Sequence, residues 1–194
     1  KYGDFFAACM DVDLANRLGA KPIEPALRTI AAWDDRRTLA TLLGTMEKDY
    51  AVGFFFNFGS EQDQKDSTKQ IGAVDQGGLG LPDRDYYLNQ DDRSKTIRAE
   101  YLAHVTKMFK LLGDTPEQAN TEANNVMTVE TALAKGSMSR VDRRNPANVY
   151  HVMTIAQLQK MTPDFDWKVY LWAKREGHLA TANVVSPGFF KAMQ

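Results

Sequence analysis

The sequence predicts a mainly α-helical fold: a multi-helix domain with one short β-hairpin. Three observations carry that expectation. Apolar residues recur at helical spacing along most of the chain. Proline and threonine stand where helices should start, and glycine where they should stop. One aromatic run, Gly53-Phe54-Phe55-Phe56-Asn57-Phe58-Gly59, breaks the pattern.

Taken in order, Phe5, Phe6, Cys9 and Met10 fall at helical spacing, so the chain is expected to open within a helix. Pro22 and Pro25 bracket the start of another, with Ile23, Leu27, Ile30 and Ala31 on one face. Leu39, Leu42, Leu43 and Met46 then repeat at i, i+3, i+4, i+7. The aromatic run reads as a strand. Gln70-Ile71-Gly72-Ala73-Val74 is its expected partner, with polar residues from Ser60 to Lys69 as the connecting loop.

Gln76-Gly77-Gly78-Leu79-Gly80-Leu81-Pro82-Asp83-Arg84-Asp85-Tyr86-Tyr87-Leu88 follows and is expected to form a built turn. Three glycines permit positive φ or close backbone approach, and Pro82 pushes Leu81 out of the α region. Beyond it, Ile97, Tyr101, Val105, Met108, Phe109 and Leu112 make a long stripe closed by Gly113. Thr115-Pro116-Glu117-Gln118 has the grammar of a helix start, and Thr154-Ile155-Ala156-Gln157 repeats the capping box. Phe165, Trp167, Val169, Tyr170, Leu171 and Trp172 mark a further helix ended by Gly177. Ser186-Pro187 opens a last one that runs to Gln194, so both ends read as cut within helices.

Composition narrows the function classes. A net charge of -1 over 194 residues gives no electrostatic reason to expect nucleic acid or an anionic membrane as partner. No segment approaches the roughly 18 uninterrupted apolar residues of a membrane span, and the first residues do not read as a signal peptide. Cys9 is the only cysteine, which leaves no internal disulfide; it is expected to be buried as a small hydrophobe.

Chemistry-bearing patterns in the sequence are weak. A zinc peptidase helix needs two histidines four apart with a glutamate beside the first, and His104, His151 and His178 each stand alone. Asp11 and Asp13 open a calcium-like loop, but Ala15 and Pro22 stand where oxygen ligands belong. Asp63 and Asp66 read as solvated, and Asp83 and Asp85 as capping or pairing with Arg84. Gly77-Gly78-Leu79-Gly80 lacks the lysine and hydroxyl of a phosphate loop. Phe54, Phe55, Phe56 and Phe58 read as packing residues, since no basic stripe accompanies them. Arg140, Arg143 and Arg144, with Asp142 among them, read as a salt-bridge cluster. No catalytic, cofactor-binding or metal-binding residue is therefore assigned.

Several segments, in order, resemble the neprilysin and endothelin-converting-enzyme family of zinc endopeptidases. They are Ala8-Cys9-Met10-Asp11, Gly19 and Pro22, the aromatic strand near Phe54, and Gly80-Leu81-Pro82-Asp83-Arg84-Asp85-Tyr86-Tyr87. Then come Glu130-Thr131-Ala132-Leu133-Ala134, Asp142-Arg143-Arg144-Asn145-Pro146 leading to Tyr150, Met153-Thr154, and Phe165-Asp166-Trp167 leading to Tyr170-Leu171. The glycine-proline-tyrosine signature is the specific part.

The resemblance implies a larger two-domain, mainly helical peptidase enclosing a chamber, with residues 1–194 as a single region of the N-terminal, non-catalytic, lid-like domain. It implies zinc in the catalytic domain and none here, peptides as the parent's substrates, and the missing catalytic domain as this region's partner. It favours an extracytoplasmic setting. The family's zinc ligands, base and substrate-backbone binders match no position here. Its carboxylate-gripping arginine lies upstream, so Arg84 and Arg144 do not inherit that role. Cys9 resembles a family cysteine whose partner, in animal enzymes, would fall beyond Gln194. The alternatives are a self-contained helical binding or scaffold module and a complete enzyme of another kind.

Overall fold

In the computed structural model, which describes residues 1–194, contacts divide the chain into residues 1–36 and 37–194. The first unit holds α1 (Tyr2–Met10), α2 (Val12–Leu18) and α3 (Glu24–Ala31). Asp11 caps α2, its Oδ1 accepting the Leu14 N–H at 2.8 Å. The carboxylate weighed as a calcium ligand is therefore a helix cap. No residue of this unit is buried. Cys9 is accordingly exposed rather than buried, because α1 turns its apolar residues Phe5, Phe6 and Met10 outward as well.

The second unit opens with α4 (Leu39–Tyr50), then β1 (Phe56–Asp63) and β2 (Asp66–Gln76), α5 (Asp85–Leu88), α6 (Asp92–Leu112) and α7 (Pro116–Gly136). After these come β3 (Val152–Thr154), α8 (Ile155–Met161), α9 (Trp167–Ala173), β4 (Thr181–Val184) and α10 (Pro187–Ala192). Both capping boxes form. The Thr115 hydroxyl accepts from Gln118 N–H while Gln118 Oε1 accepts from Thr115 N–H, and Thr154 and Gln157 do the same. Gly113 takes φ 109° at the end of α6, as a left-handed stop requires.

The fold is mainly α with a small sheet, in the strand order β1-β2-β4-β3. β1 and β2 form the expected hairpin, from Phe56 opposite Gln76 to Asp63 opposite Asp66. It is longer than the sequence suggested: the polar residues from Ser60 to Lys69, read as loop, are mostly strand. Cross-strand bonds explain this, from Ser60 Oγ to Gln70 Oε1 (3.3 Å) and from Gln62 Nε2 to the Ser67 carbonyl (2.7 Å). An arm that extends past the core can be polar on both faces. β4 lies parallel to β2 and antiparallel to β3, and both of these added strands are too short to show a period of two.

The core is aromatic. Phe56, 2% exposed, lies 5.5, 5.1, 5.2 and 5.8 Å (ring centroids) from Phe165, Trp167, Tyr170 and Phe190. The buried Trp167 indole N–H donates to Thr162 Oγ1 at 2.7 Å, and that hydroxyl donates to the Leu158 carbonyl at 2.8 Å, so no polar atom there is wasted. Helices α4 and α9 cross closely at Gly44, where a Cβ would come 2.8 Å from that of Ala173. Beside this crossing Glu47 accepts from the Tyr170 hydroxyl and pairs with Lys174 at 2.9 Å. The α6 stripe is half-buried at Ile97, Tyr101, Val105 and Phe109, but towards its end Met108 and Leu112 are exposed, as is Leu111 beside them.

Phe56→Ala removes the ring that all four aromatic partners share. The expected loss of stability in urea unfolding is about 3–5 kcal/mol, and a loss below about 1 kcal/mol would show that this cluster is not the core.

Candidate functional site

The glycine signature leaves β2 at Gln76 and lines a cavity of about 640 Å³ with Asn57, Glu130 and the segment after α7. Gly78 has φ 72°, and a Cβ there would meet the Phe54 carbonyl at 2.6 Å and Leu133 Cδ1 at 2.7 Å. At Gly80 a Cβ would run into the Tyr101 hydroxyl. Glycine is thus demanded here by close approach, as a built turn requires.

One carboxylate ties the loop to the helices. Glu130 on α7 accepts from the Tyr87 hydroxyl at 2.6 Å and from the Tyr101 hydroxyl at 2.9 Å. The Tyr87 oxygen in turn accepts the Leu81 N–H at 2.8 Å. Loop, α5 and α6 therefore converge on a single side chain. Desolvation, with the hydrogen bond to Glu130 next, raises the Tyr101 phenol to about 12 and pushes Tyr87 higher still. At neutral pH both phenols stay protonated and donate.

A second set of bonds fastens the loop to the segment that follows α7. Gln76 donates Nε2–H to the Met138 carbonyl (3.1 Å) and accepts the Met138 N–H on Oε1 (2.7 Å). Arg84 reaches past its flanking aspartates to the Ser137 carbonyl at 2.5 Å. Asp83 does cap the turn, accepting the Asp85 N–H at 2.9 Å, but its ion-pair partner is Arg140, also at 2.9 Å. Arg143 grips Asp75 through two bonds of 2.8 and 2.6 Å, and this raises the guanidinium above its ordinary range. Salt bridges therefore form at the arginine cluster, with Asp75 and Asp83 as partners. Asp142 is instead engaged by the Ser139 hydroxyl.

The other residues weighed in the sequence are scattered. Asp63 accepts the Tyr150 hydroxyl at 2.7 Å and the Lys65 N–H at the hairpin turn, and this second bond is the main reason its carboxyl lies below the usual range. Asp66 sits at the other side of that turn, paired with Lys69. His104 lies on α6, His151 just before β3, and His178 between α9 and β4, 3.8 Å from Glu176. Sequence reading missed Glu130 as the centre of the tyrosine network, since its partners lie 43 and 29 residues away. The adjacent tyrosines were the only signal, because a half-buried phenol seeks an acceptor.

The N-terminal family model of peptidase family M13 matches residues 1–194. The chain belongs to peptidase family M13. It is similar to neprilysin-3 of Drosophila melanogaster, 31% identical over 172 residues, which cover 84% of this chain and 22% of that protein. Human endothelin-converting enzyme 1 is 31% identical over 173 residues, with 86% and 22% covered. A crystal structure of Mycobacterium tuberculosis zinc metalloprotease Zmp1 with an inhibitor superposes with a TM-score of 0.87 at 31% identity, covering 97% of this chain and 29% of that one. The chain thus spans less than a third of the length of these relatives.

Membership of a zinc peptidase family raises the question of where a metal would sit. No group of three or more His, Cys, Asp or Glu side chains is placed to hold an ion, and Cys9 is exposed on α1. The residues present do not fit zinc. No helix is long and apolar enough to cross a membrane.

The tyrosine network should show in an alkaline titration followed by phenolate absorbance. In the unfolded chain all seven tyrosines ionise near their ordinary value of about 10. In the native chain Tyr101 is expected near 12, with Tyr87 and Tyr170 above it. The sign follows from the raised values: this part of the stability is complete below about pH 10 and is lost as pH climbs towards the folded-state values. Glu130→Gln should lower the Tyr101 midpoint only part of the way, since burial is the larger cause. A native titration identical to the unfolded one would show that the network is open in solution.

Proposed function

We propose that this chain is a non-catalytic wall and lid segment of a zinc endopeptidase that acts on peptides. The observation that carries the reading is the match to family M13 over the whole chain, joined to a donor set that cannot hold the metal. On this reading residues 1–194 form one region of the N-terminal domain. Zinc, the activating glutamate and the substrate-backbone binders belong to a catalytic domain elsewhere in the same enzyme. There the metal would supply an activated water for attack on a peptide carbonyl. This chain would supply no catalytic, cofactor-binding or metal-binding residue.

The glycine loop supports a wall role through its rigidity. The contacts from Gln76 to Arg84 end on backbone, on the Asn57 amide, on the Tyr87 phenol or on a charged partner already engaged, so the segment is held in shape. Exposed apolar residues support burial against further polypeptide: Phe5 is 72% exposed, Leu111 67%. A self-contained helical module has no need of such faces. The family resemblance also supports an extracytoplasmic setting.

Two measurements test the proposal. The purified chain, incubated with a fluorogenic peptide library and zinc, is expected to show no hydrolysis above a chelator control. Chelator-sensitive turnover that copurifies with it would overturn the assignment. In the full-length enzyme, Glu130→Ala should loosen the loop and raise kcat/KM for folded protein substrates relative to short peptides. An unchanged ratio would remove the gating role.

A further inference from the structure

The chain has three tryptophans, and one of them is out of place. Trp167 is fully buried, whereas Trp172, at the end of α9, is 79% exposed. Its ring is nevertheless seated. It lies against Gly177, where a Cβ would come 2.9 Å from the indole Cε3, so one edge of the indole is supported and the rest is open. An aromatic ring held in this way loses little rotamer freedom when something packs on it.

Trp172 forms one wall of a groove of about 1100 Å³ between α4, α9 and the segment leading to β4. Leu179 contributes apolar surface to it over a floor of the buried Ile155 and Leu171, and Val169 stands exposed beside the tryptophan. The titratable groups that line the groove are Lys48, Lys168, Arg175 and His178, and no carboxylate is among them. Lys48 shares its charge with Asp49 at 3.1 Å. Lys168 and Arg175 form no ion pair. With Lys48 held by Asp49 and His178 3.8 Å from Glu176, Lys168 and Arg175 are the two uncompensated cations on an apolar groove.

Arg175 adds a second observation. It has φ 68°, and its N–H donates to the Trp172 carbonyl at 3.0 Å while Glu176 N–H reaches Leu171 at 2.7 Å. That is the left-handed stop of α9, a position where glycine carries no strain and an L side chain does. Here the stop carries a cation and places it beside Trp172.

We propose that this groove binds an acidic peptide segment, with one apolar side chain packed on Trp172 and flanking carboxylates meeting Lys168 and Arg175. Charge complementarity selects the acidic partner. The apolar surface selects a peptide over a sulfated or phosphorylated polymer, which has no side chain to fill it. The site lies within residues 37–194 and does not depend on the gating reading.

The test uses the full chain and an acetylated, amidated pentapeptide of sequence Asp-Glu-Phe-Glu-Asp, followed by calorimetry and tryptophan emission. Saturable binding that weakens with salt is expected. Trp172→Ala and Arg175→Gly should each weaken it about tenfold or more. Arg175→Gly relieves the backbone strain, so a loss of affinity in that variant cannot be blamed on unfolding. The proposal is overturned by absence of binding, by equal affinity for the uncharged Asn-Gln-Phe-Gln-Asn analogue, or by binding that survives Trp172→Ala. Tighter binding of heparin at the same groove would assign it to polyanions. A dimer that Trp172→Ala dissociates would assign it to a second copy of the chain.

Discussion

Phe56 stands at the first position of β1, and its ring lies among side chains from α9, α10 and the turn before α9. Packing there decides where the hairpin begins. It thereby sets the height at which Gln76, its cross-strand partner, leaves the sheet. The glycine loop inherits that position: Gly77 passes 3.0 Å from the Phe56 Cα, counted from the Cβ it lacks, and Gly78 passes the backbone of Phe54 and Phe55. Aromatic burial on one side of the sheet and glycine geometry on the other are therefore a single constraint. A shift of one would displace the other, because close-packed interiors do not absorb such movements smoothly.

The tyrosine network extends that constraint into the helical layer. Glu130 accepts two phenols whose chains approach from α5 and α6, and the Tyr87 oxygen passes the connection on to the Leu81 N–H. A half-buried carboxylate is costly unless its lone pairs are engaged, and here both oxygens have donors. The paired arginines follow the same logic at the exposed side of the loop. They hold Asp75 and Asp83, and so fix both ends of the signature against the segment after α7.

The regions without such ties are also informative. Unit 1 buries none of its residues, and the end of α6 leaves Met108 and Leu112 uncovered, although their spacing is that of a core-facing helix. Sequence periodicity reports that a face is apolar, and this is a statement about what it prefers to contact. It says nothing of which polypeptide provides the contact. Cys9 follows the same rule: a residue type that is usually buried lies open where its helix has no cover.

Much of this protein was legible from local chemistry alone. Helix starts at Thr115 and Thr154, the stop at Gly113, the hairpin and the built turn each rest on residues within a few positions of one another, so their energetics are decided locally. The family signature was legible for the same reason, since it is one continuous run. Tertiary structure alone decided the partners of Glu130, Arg84 and Arg143, the extension of the sheet by β3 and β4, and the exposure of Trp172. Arg84 shows why. Its nearest carboxylates in sequence are Asp83 and Asp85, yet it reaches the carbonyl of Ser137, 53 residues on, while Asp83 takes Arg140. Charge in a sequence names candidates for pairing, and only the packed backbone brings one of them within reach.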